Sequence, residues 1–434
     1  MTRLLRAATF LAAIILVPIG AARAQDTTRL VLRYDPNTKP GVLVLRIAGA
    51  MGDSLRAILQ RDLDYGDRTN VVAADENGFP DTPTAGKNGN YPLYARLGAA
   101  VLVQSTPTAA GLHVAVHDVA QQKVLRVRDF PLTGEPNSRE WRMSVHNVRD
   151  ELEAWITGTR GIAATRVAYI QGVRNGRLYV IDSDGAFPTP VGDVAGAMSP
   201  SWHPKGTHIA YSLVGSHGCC QIFIYDLSSG SARRIDAVGG GLNSTPVFAP
   251  DGFVIVYTHG EESGTDLFAT TVFERGPARR ITVGRGSDNT SPAFSPDGRR
   301  LVFTSGRLGH PEIYISDADG TNPQPLTYSV GDQNYRANPD WSPDGRLVAY
   351  QSQQPDGSFQ LNTISLRDRS VKQLTSDGSN EDASWAPDSR HLIFSSTRTG
   401  TKQLFVIDSE SGKWRQLTRT GGVRLPAWSP PLTR

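Results

Sequence analysis

The sequence predicts a small α/β N-terminal domain followed by an all-β six-bladed propeller that the C-terminus closes. Three observations predict it. A Trp/Phe-x-Pro element recurs six times in the second half of the chain. The last copy has no strand pattern after it, and the first strand-rich stretch has no copy before it. The first half has no such repeat and mixes helical with strand periodicity. A length of 434 residues exceeds one ordinary domain unless a repeat is present. With 39% hydrophobic and 20% charged residues the composition is globular.

An export signal comes first. Arg3 and Arg6 form a basic start, Ala7 to Ile19 an apolar run, and Ala22-Arg23-Ala24 a small-residue cleavage site. Residues 1–24 are therefore expected to be removed, leaving a chain that begins at Gln25 and works outside the cytosol. The apolar run is short for the ~20 residues a membrane span needs, so no direct membrane insertion is expected. The segment carries Arg3, Arg6 and Arg23 and no acid. Without it, the 45 Lys and Arg fall to 42, against 42 Asp and Glu. A neutral chain has no global electrostatic reason to bind nucleic acid or an anionic membrane.

Residues 25–40 form a polar segment with one alternating patch, Leu30, Leu32 and Tyr34. Such a segment is expected to be mobile, able to add a strand to a partner's sheet edge or equally to dock on this protein's own domains. Residues 41–160 read as the α/β domain. Gly41–Ile47 is a strand, and Asp53 to Leu63 is an amphipathic helix with Leu55, Ile58, Leu59 and Leu63 on one face. Val71-Val72 is a short strand and Tyr91 to Leu97 a weaker helix. Ala99–Val103, Leu112–Val116 and Val124–Val127 are strands, the last two joined as a hairpin across Gln121-Gln122. Asn137 to Thr157 is a long helix carrying Trp141, Val145, Val148, Leu152 and Trp155.

Residues 163–434 read as the propeller. The six elements are Trp202-His203-Pro204, Phe248-Ala249-Pro250, Phe294-Ser295-Pro296, Trp341-Ser342-Pro343, Trp385-Ala386-Pro387 and Trp428-Ser429-Pro430. Their spacing of 43 to 47 residues is the period of a four-stranded blade. The contents of a repeat exclude a helical solenoid. Asp297-Gly298 is a turn, Leu301-Val302-Phe303 and Ile313-Tyr314-Ile315 are strands, and Asp317-Ala318-Asp319-Gly320 is a second turn. Residues 166–192 supply middle and outer strands without a Trp-x-Pro, and residues 426–430 supply the missing inner strand. Closure of this kind removes open sheet edges. The Trp or Phe of each element is expected to pack between blades.

These features together resemble the TolB family of the Tol-Pal envelope system. The likeness covers the mature chain and is strongest at Ser295-Pro296-Asp297-Gly298, Ser342-Pro343-Asp344-Gly345 and the terminal Pro426-Ala427-Trp428-Ser429-Pro430. The resemblance implies a non-enzymatic periplasmic adaptor that supports outer-membrane integrity and envelope constriction at division. It implies contact with Pal, a peptidoglycan-associated lipoprotein, through the propeller. It also implies contact with TolA, an inner-membrane protein, through the mature N-terminal segment, here Arg29, Leu30, Leu32 and Tyr34. A monomer without cofactor or metal is expected. The Cys219-Cys220 pair is a departure from the family pattern; its thiols are read as free, loop-buried or joined in a strained vicinal disulfide.

Catalytic signatures are absent. The sequence has no G-x-S-x-G, H-E-x-x-H, P-loop or G-x-G-x-x-G. The residues just before each Trp-x-Pro read as six short turns on one rim of the channel, a place where a rigid scaffold presents binding groups. Asn243, Thr245, Asn289, Thr290, Arg336, Asn338, Asn380, Glu381 and Arg424 are the candidate Pal-binding residues of that rim. The competing reading is that such groups only cap turns. A second class of function, an exported propeller lyase or hydrolase, would need His, Arg or a metal cluster in the channel. The six rim stretches contain no histidine.

Overall fold

The computed structural model describes residues 39–73, 90–215, 220–235, 237–273, 276–283, 288–328 and 335–432. The first unit is a five-stranded sheet. Its elements are β1 (Gly41–Val44), α1 (Gly52–Tyr65), β2 (Asn70–Val71), α2 (Tyr91–Arg96), β3 (Val101–Thr108), β4 (Gly111–Asp118), β5 (Lys123–Pro131) and α3 (Arg139–Thr157). The strand order is β2-β1-β3-β4-β5. β1 runs parallel to β2 and β3, and β3, β4 and β5 form an antiparallel meander. The meander strands extend beyond the expected spans because their hairpins continue past the core. Gln122 makes the β4–β5 turn with φ 53°.

Helices α1 and α3 cover one face. Leu55, Leu59 and Leu63 meet Trp141, Val145, Val148 and Leu152 over Val42, Val101 and Val114. Tyr91 and Tyr94 of α2 cover the other face near Leu43 and Leu102. Helix α3 starts where the Ser138 hydroxyl accepts the Trp141 amide at 3.2 Å, and it stops at Gly158, whose φ of 81° suits glycine.

The remaining strands form six four-stranded sheets. Blade one joins Val423–Trp428 to Arg166–Gln171, Arg177–Asp182 and Thr189–Ala195. Blades two to six begin with Ala197–Trp202, Leu242–Phe248, Asn289–Phe294, Arg336–Trp341 and Asn380–Trp385. The ring closes through the antiparallel pairs Val423↔Gln171 and Trp428↔Val167. The closing strand thus lies a few residues before the expected 426–430. Ser429 follows it as a cap, its hydroxyl accepting the Arg166 amide at 2.9 Å.

The Trp and Phe residues pack between blades as expected. Trp428 touches blade six through Ile393 and Val406 and its own blade through Tyr169. Trp341 packs with Val302 and Ile313 of blade four, and Trp385 with Ala349 and Leu361 of blade five. Indole N–H groups reinforce the seams: Trp202 donates to Ala427 O at 3.0 Å and Trp385 to Asp340 O at 3.2 Å. The Asp-Gly turns are also as read, with Gly298 at φ 70° and the Asp297 carboxylate accepting from Ser295 Oγ at 2.6 Å.

The α/β unit sits on blades one and six, at the end where the innermost strands finish. A buried ionic seam makes this contact. Arg68 reaches Asp388, Arg139 reaches Asp182, and Arg61 and Arg142 both reach Asp184. Arg390 donates to the Asp67 carbonyl at 3.1 Å. On α3, His146, Arg149, Asp150 and Glu153 form a second buried stripe beside the apolar one. Asp150 accepts the amides of Ala163 and Ala164, both at 2.8 Å.

Candidate functional site

All six innermost strands carry the same defect. Each holds one residue at positive φ: Ser199 (47°), Thr245 (46°), Ser291 (51°), Asn338 (52°), Asp382 (58°) and Leu425 (51°). Proline follows in five of them and Ala383 in the sixth. The ladder to the second strand slips at each of these places. Two residues on the inner strand therefore oppose one on its neighbour, which is a β-bulge. The opposed residue is always aromatic: Tyr169, Tyr211, Tyr257, Phe303, Tyr350 or Phe394, each buried. Five of these rings lie against an aromatic ring of the third strand, as Tyr211 does on Phe223 with centroids 5.9 Å apart, and the proline needs no ladder hydrogen bond at the bulge.

The bulges face the channel, where they line a cavity of about 330 Å³ with the following prolines and with Trp202, Trp341, Trp385 and Trp428. Hydrogen bonds run between neighbouring bulges over half the ring. Ser291 Oγ donates to Asn338 Oδ1 at 2.8 Å, Asn338 Nδ2 to Asp382 Oδ1 at 3.1 Å, and the Leu425 amide to Asp382 Oδ2 at 3.4 Å. Thr258 links Thr245 and Ser291 in the same way, at 2.7 and 3.2 Å. Burial, with Glu381 beside it, pushes the Asp382 carboxyl up. Asp340, just below, is pushed up to about 6 by burial, although it accepts the Trp341 and Trp385 amides at 3.0 and 2.8 Å.

The expected rim residues divide into two sets. They lie within the innermost strands, where turns were expected. Asn243, Asn289 and Asn380 are buried, which corrects the expectation that such residues point outward. Asn289 donates to Asp266 at 2.9 Å and accepts from Ser305 and Arg307. Asn380 donates to Gln360 at 2.8 Å and accepts from Arg398, and Asn243 donates to Val238 O and meets His259. An amide that must satisfy both a donor and an acceptor between blades is drawn inward. Arg336 also turns inward, gripping the fully buried Glu312 of blade four at 2.7 and 2.9 Å. Glu381 pairs with Lys402 at 3.0 Å. Thr245, Thr290, Asn338, Glu381 and Arg424 are half-buried, and Thr245 and Asn338 line the cavity.

The starts of the innermost strands share an end with the turns between second and third strands, as the 2.9 Å bond from the Gly172 amide to Gly422 O shows. This rim faces away from the α/β unit. Val173, Val214, Leu242, Leu308 and Tyr335, from five different blades, are exposed on it, Val173 by 73%. Sequence reasoning missed these residues. Their signal was large apolar side chains in polar turns.

Among the described residues two groups have metal-ligating chemistry, Asp62–His146–Asp184 and Asp67–His391–Asp408. Both lie in the seam between the units, not in the channel. Arg61 lies 2.5 Å from Asp184, and Arg390 2.6 Å from Asp408. Their positive charges already occupy the acids, so a divalent cation is a poor fit. Cys220 is buried at the start of a blade-two strand. Cys219, the segment with Arg29, Leu30, Leu32 and Tyr34, and the export signal lie outside the described residues.

Residues 154–432 match the family model described as the TolB beta propeller domain. The chain belongs to the TolB β-propeller family. Relatives named Tol-Pal system protein TolB include one from Sodalis glossinidius, 31% identical over 200 residues, covering 43% of this chain and 45% of the relative. One from Methylococcus capsulatus is 32% identical over 201 residues, covering 44% and 46%. The chain spans about half the length of these relatives. The crystal structure of TolB from Acinetobacter baumannii superposes with a TM-score of 0.78 at 24% identity, covering 92% of this chain and 98% of that one. That likeness speaks for the fold. In this TolB-family propeller the bulge ring lines the channel and the apolar rim lies at the end away from the α/β unit. Among the described residues no helix is long and apolar enough to cross a membrane.

Proposed function

We propose that this chain is a non-enzymatic periplasmic adaptor of a Tol-Pal system. Its propeller rim binds a Pal-like peptidoglycan-associated lipoprotein, and its mature N-terminal segment binds a TolA-like inner-membrane protein. The working parts are an export signal at 1–24, a partner-binding segment at 25–40, an α/β domain at 41–160 and a propeller at 163–434. Through these contacts it supports envelope integrity and constriction at division.

The observation that carries this reading is the rim, together with family membership. A set of exposed apolar residues from five blades lies at the end where the innermost strands start, and deeper along the channel the bulges bring together amides, hydroxyls and a carboxylate joined by hydrogen bonds. Such a surface is preorganised for a protein or peptide partner. Thr290, Arg424 and Glu381 lie half-buried near the starts of the innermost strands, while Asn243, Asn289, Asn380 and Arg336 bond inward beside them.

The experiment is a pull-down of the mature protein from envelope extract, followed by titration with the recovered lipoprotein. Thr290→Trp should weaken that binding, with a cost on the order of 2 kcal/mol at a hot spot. Deleting residues 25–34 should abolish TolA-like binding and leave the lipoprotein contact intact. Recovery of no lipoprotein would sink the reading.

A further inference from the structure

Strand β5 is the last strand of the α/β sheet, and no described strand pairs with its outer side. It is nine residues long, whereas the outermost strands of the six blades have two to seven. The slip in its ladder falls between Arg126 and Val124, so the stretch from Arg126 to Pro131 is regular. A long edge of this kind is a template for a further strand unless something blunts it.

The two faces of the edge have opposite chemistry. Arg126 and Arg128 are exposed and pair with Val116 and Val114, so they lie on the sheet face that α3 covers. Val127 and Val124 pair with Ala115 and His117 on the other face, where they are 52% and 47% exposed. The acid of this strand, Asp129, is held by His113 at 2.6 Å. A groove of about 420 Å³ continues the arginine face, with Arg128, Arg160 and Arg166 over Phe130, Met143 and Leu432. Glu151 meets two of these arginines, at 3.4 and 2.6 Å, and Asp182 meets the third. Arg126 keeps the outer part of the face positive.

We propose that the outer edge of β5 is a strand-addition site for an extended partner segment in which acidic residues alternate with β-branched apolar ones. Main-chain hydrogen bonds supply the affinity, and the alternation supplies the specificity. Acids on one face of the added strand meet Arg126 and Arg128 and reach the groove. Apolar residues on its other face cover Val124 and Val127. A second copy of this chain is a poor occupant, because antiparallel self-pairing about Val127 sets Arg126 against Arg128, and like charges directly opposite are destabilising. The site lies on the α/β unit, away from the channel rim, and its occupancy does not depend on what the rim binds.

The test uses the mature chain and a fluorescein-labelled peptide of alternating Glu and Val. Controls are the Lys-Val peptide and a Glu-Val peptide N-methylated on the amides of one edge. Saturable anisotropy should appear for the Glu-Val peptide alone, with slowed amide exchange within residues 126–130. Combining Arg126→Glu with Val127→Lys should weaken binding by about tenfold or more, with melting unchanged. Equal binding of the N-methylated or the Lys-Val peptide would overturn the proposal, as would exchange protection at the propeller rim. No binding at about millimolar peptide would do the same. A dimer of the parent chain that Val127→Lys dissolves would assign the edge to a second copy instead.

Discussion

His391 of blade six reaches across to Asp67 of the α/β unit, Nε2 to Oδ2 at 3.3 Å, while its Nδ1 lies 2.7 Å from Asp388 of its own blade. His146 on α3 mirrors it, 2.5 Å from Asp62 in its own unit and 3.7 Å from Asp184 of the propeller. Each unit thus contributes one buried histidine that bridges a carboxylate at home and one across the seam. Arg390, Asp408 and Lys413 complete the surroundings of the first bridge.

This bridge predicts an alkaline loss of stability. Burial opposes the charged ring, but Asp388 and Asp67 outweigh it and hold His391 up to about 9. The folded value exceeds the unfolded one, so the contribution is complete below about pH 6.5 and is lost as pH rises through about 9. The melting temperature should fall over that window, by an amount worth on the order of 1–3 kcal/mol. His391→Gln should melt lower at neutral pH and show a flatter profile. Melts of both proteins from neutral to alkaline pH check this, and parallel curves would move the effect to another group.

Arg336 tests whether the inner rim is support or contact surface. Its partner Glu312 is fully buried, so Arg336→Glu leaves two acids facing each other between blades four and five. Loss of about 3–5 kcal/mol is expected, as for a broken buried pair. Pairing Arg336→Met with Glu312→Gln should recover much of it. Urea midpoints of the parent and the two variants measure the difference.

Asn338 combines a left-handed backbone with two side-chain links around the ring. Asn338→Val should cost about 2–4 kcal/mol, from backbone strain and lost hydrogen bonds together. Asn338→Gly keeps the backbone and should cost clearly less. Equal destabilisation in equilibrium unfolding would show that the bulge is not strained.

Deleting Val423 onward removes the inner strand of blade one and uncovers Tyr169 and Ile170. Cooperative unfolding should be lost and aggregation should follow, because a new edge is opened at the ring's closure. Calorimetry and light scattering of the truncated chain check this. A transition matching the parent's would show that the ring holds without its last strand.

Repetition is what made the propeller legible in the amino-acid sequence. Six aromatic elements at one spacing cannot arise from scattered surface residues, and complementary ends of a repeat leave only closure. The helices and strands of the first unit were equally readable, since Leu55, Leu59 and Leu63, or Val42 and Val44, repeat with the period of the element they form. The expected export signal and the family likeness are likewise read from sequence order alone. The bulge ring was half legible. The x-Pro pair before five of the six Trp or Phe residues, and the aromatic nine residues after five of the six, stood in the sequence. Their meaning depends on which ladder position opposes which.

Only the tertiary structure decided where the polar groups went. Asn289 and Thr290 are neighbours with similar sequence signals, yet one is fully buried between blades and the other borders the channel. The alternation of a strand assigns faces, and packing of the next blade decides which face is interior. The charged stripe of α3 carries the same lesson. His146, Arg149, Asp150 and Glu153 look like a solvated helix face by periodicity. They are buried because the propeller docks on that face and brings Asp184, Asp388 and the Ala163 and Ala164 amides to meet them. A local pattern records which residues share a side. Whether that side meets water or another domain is set by contacts more than two hundred residues apart, as between Asp67 and His391, which no local pattern contains.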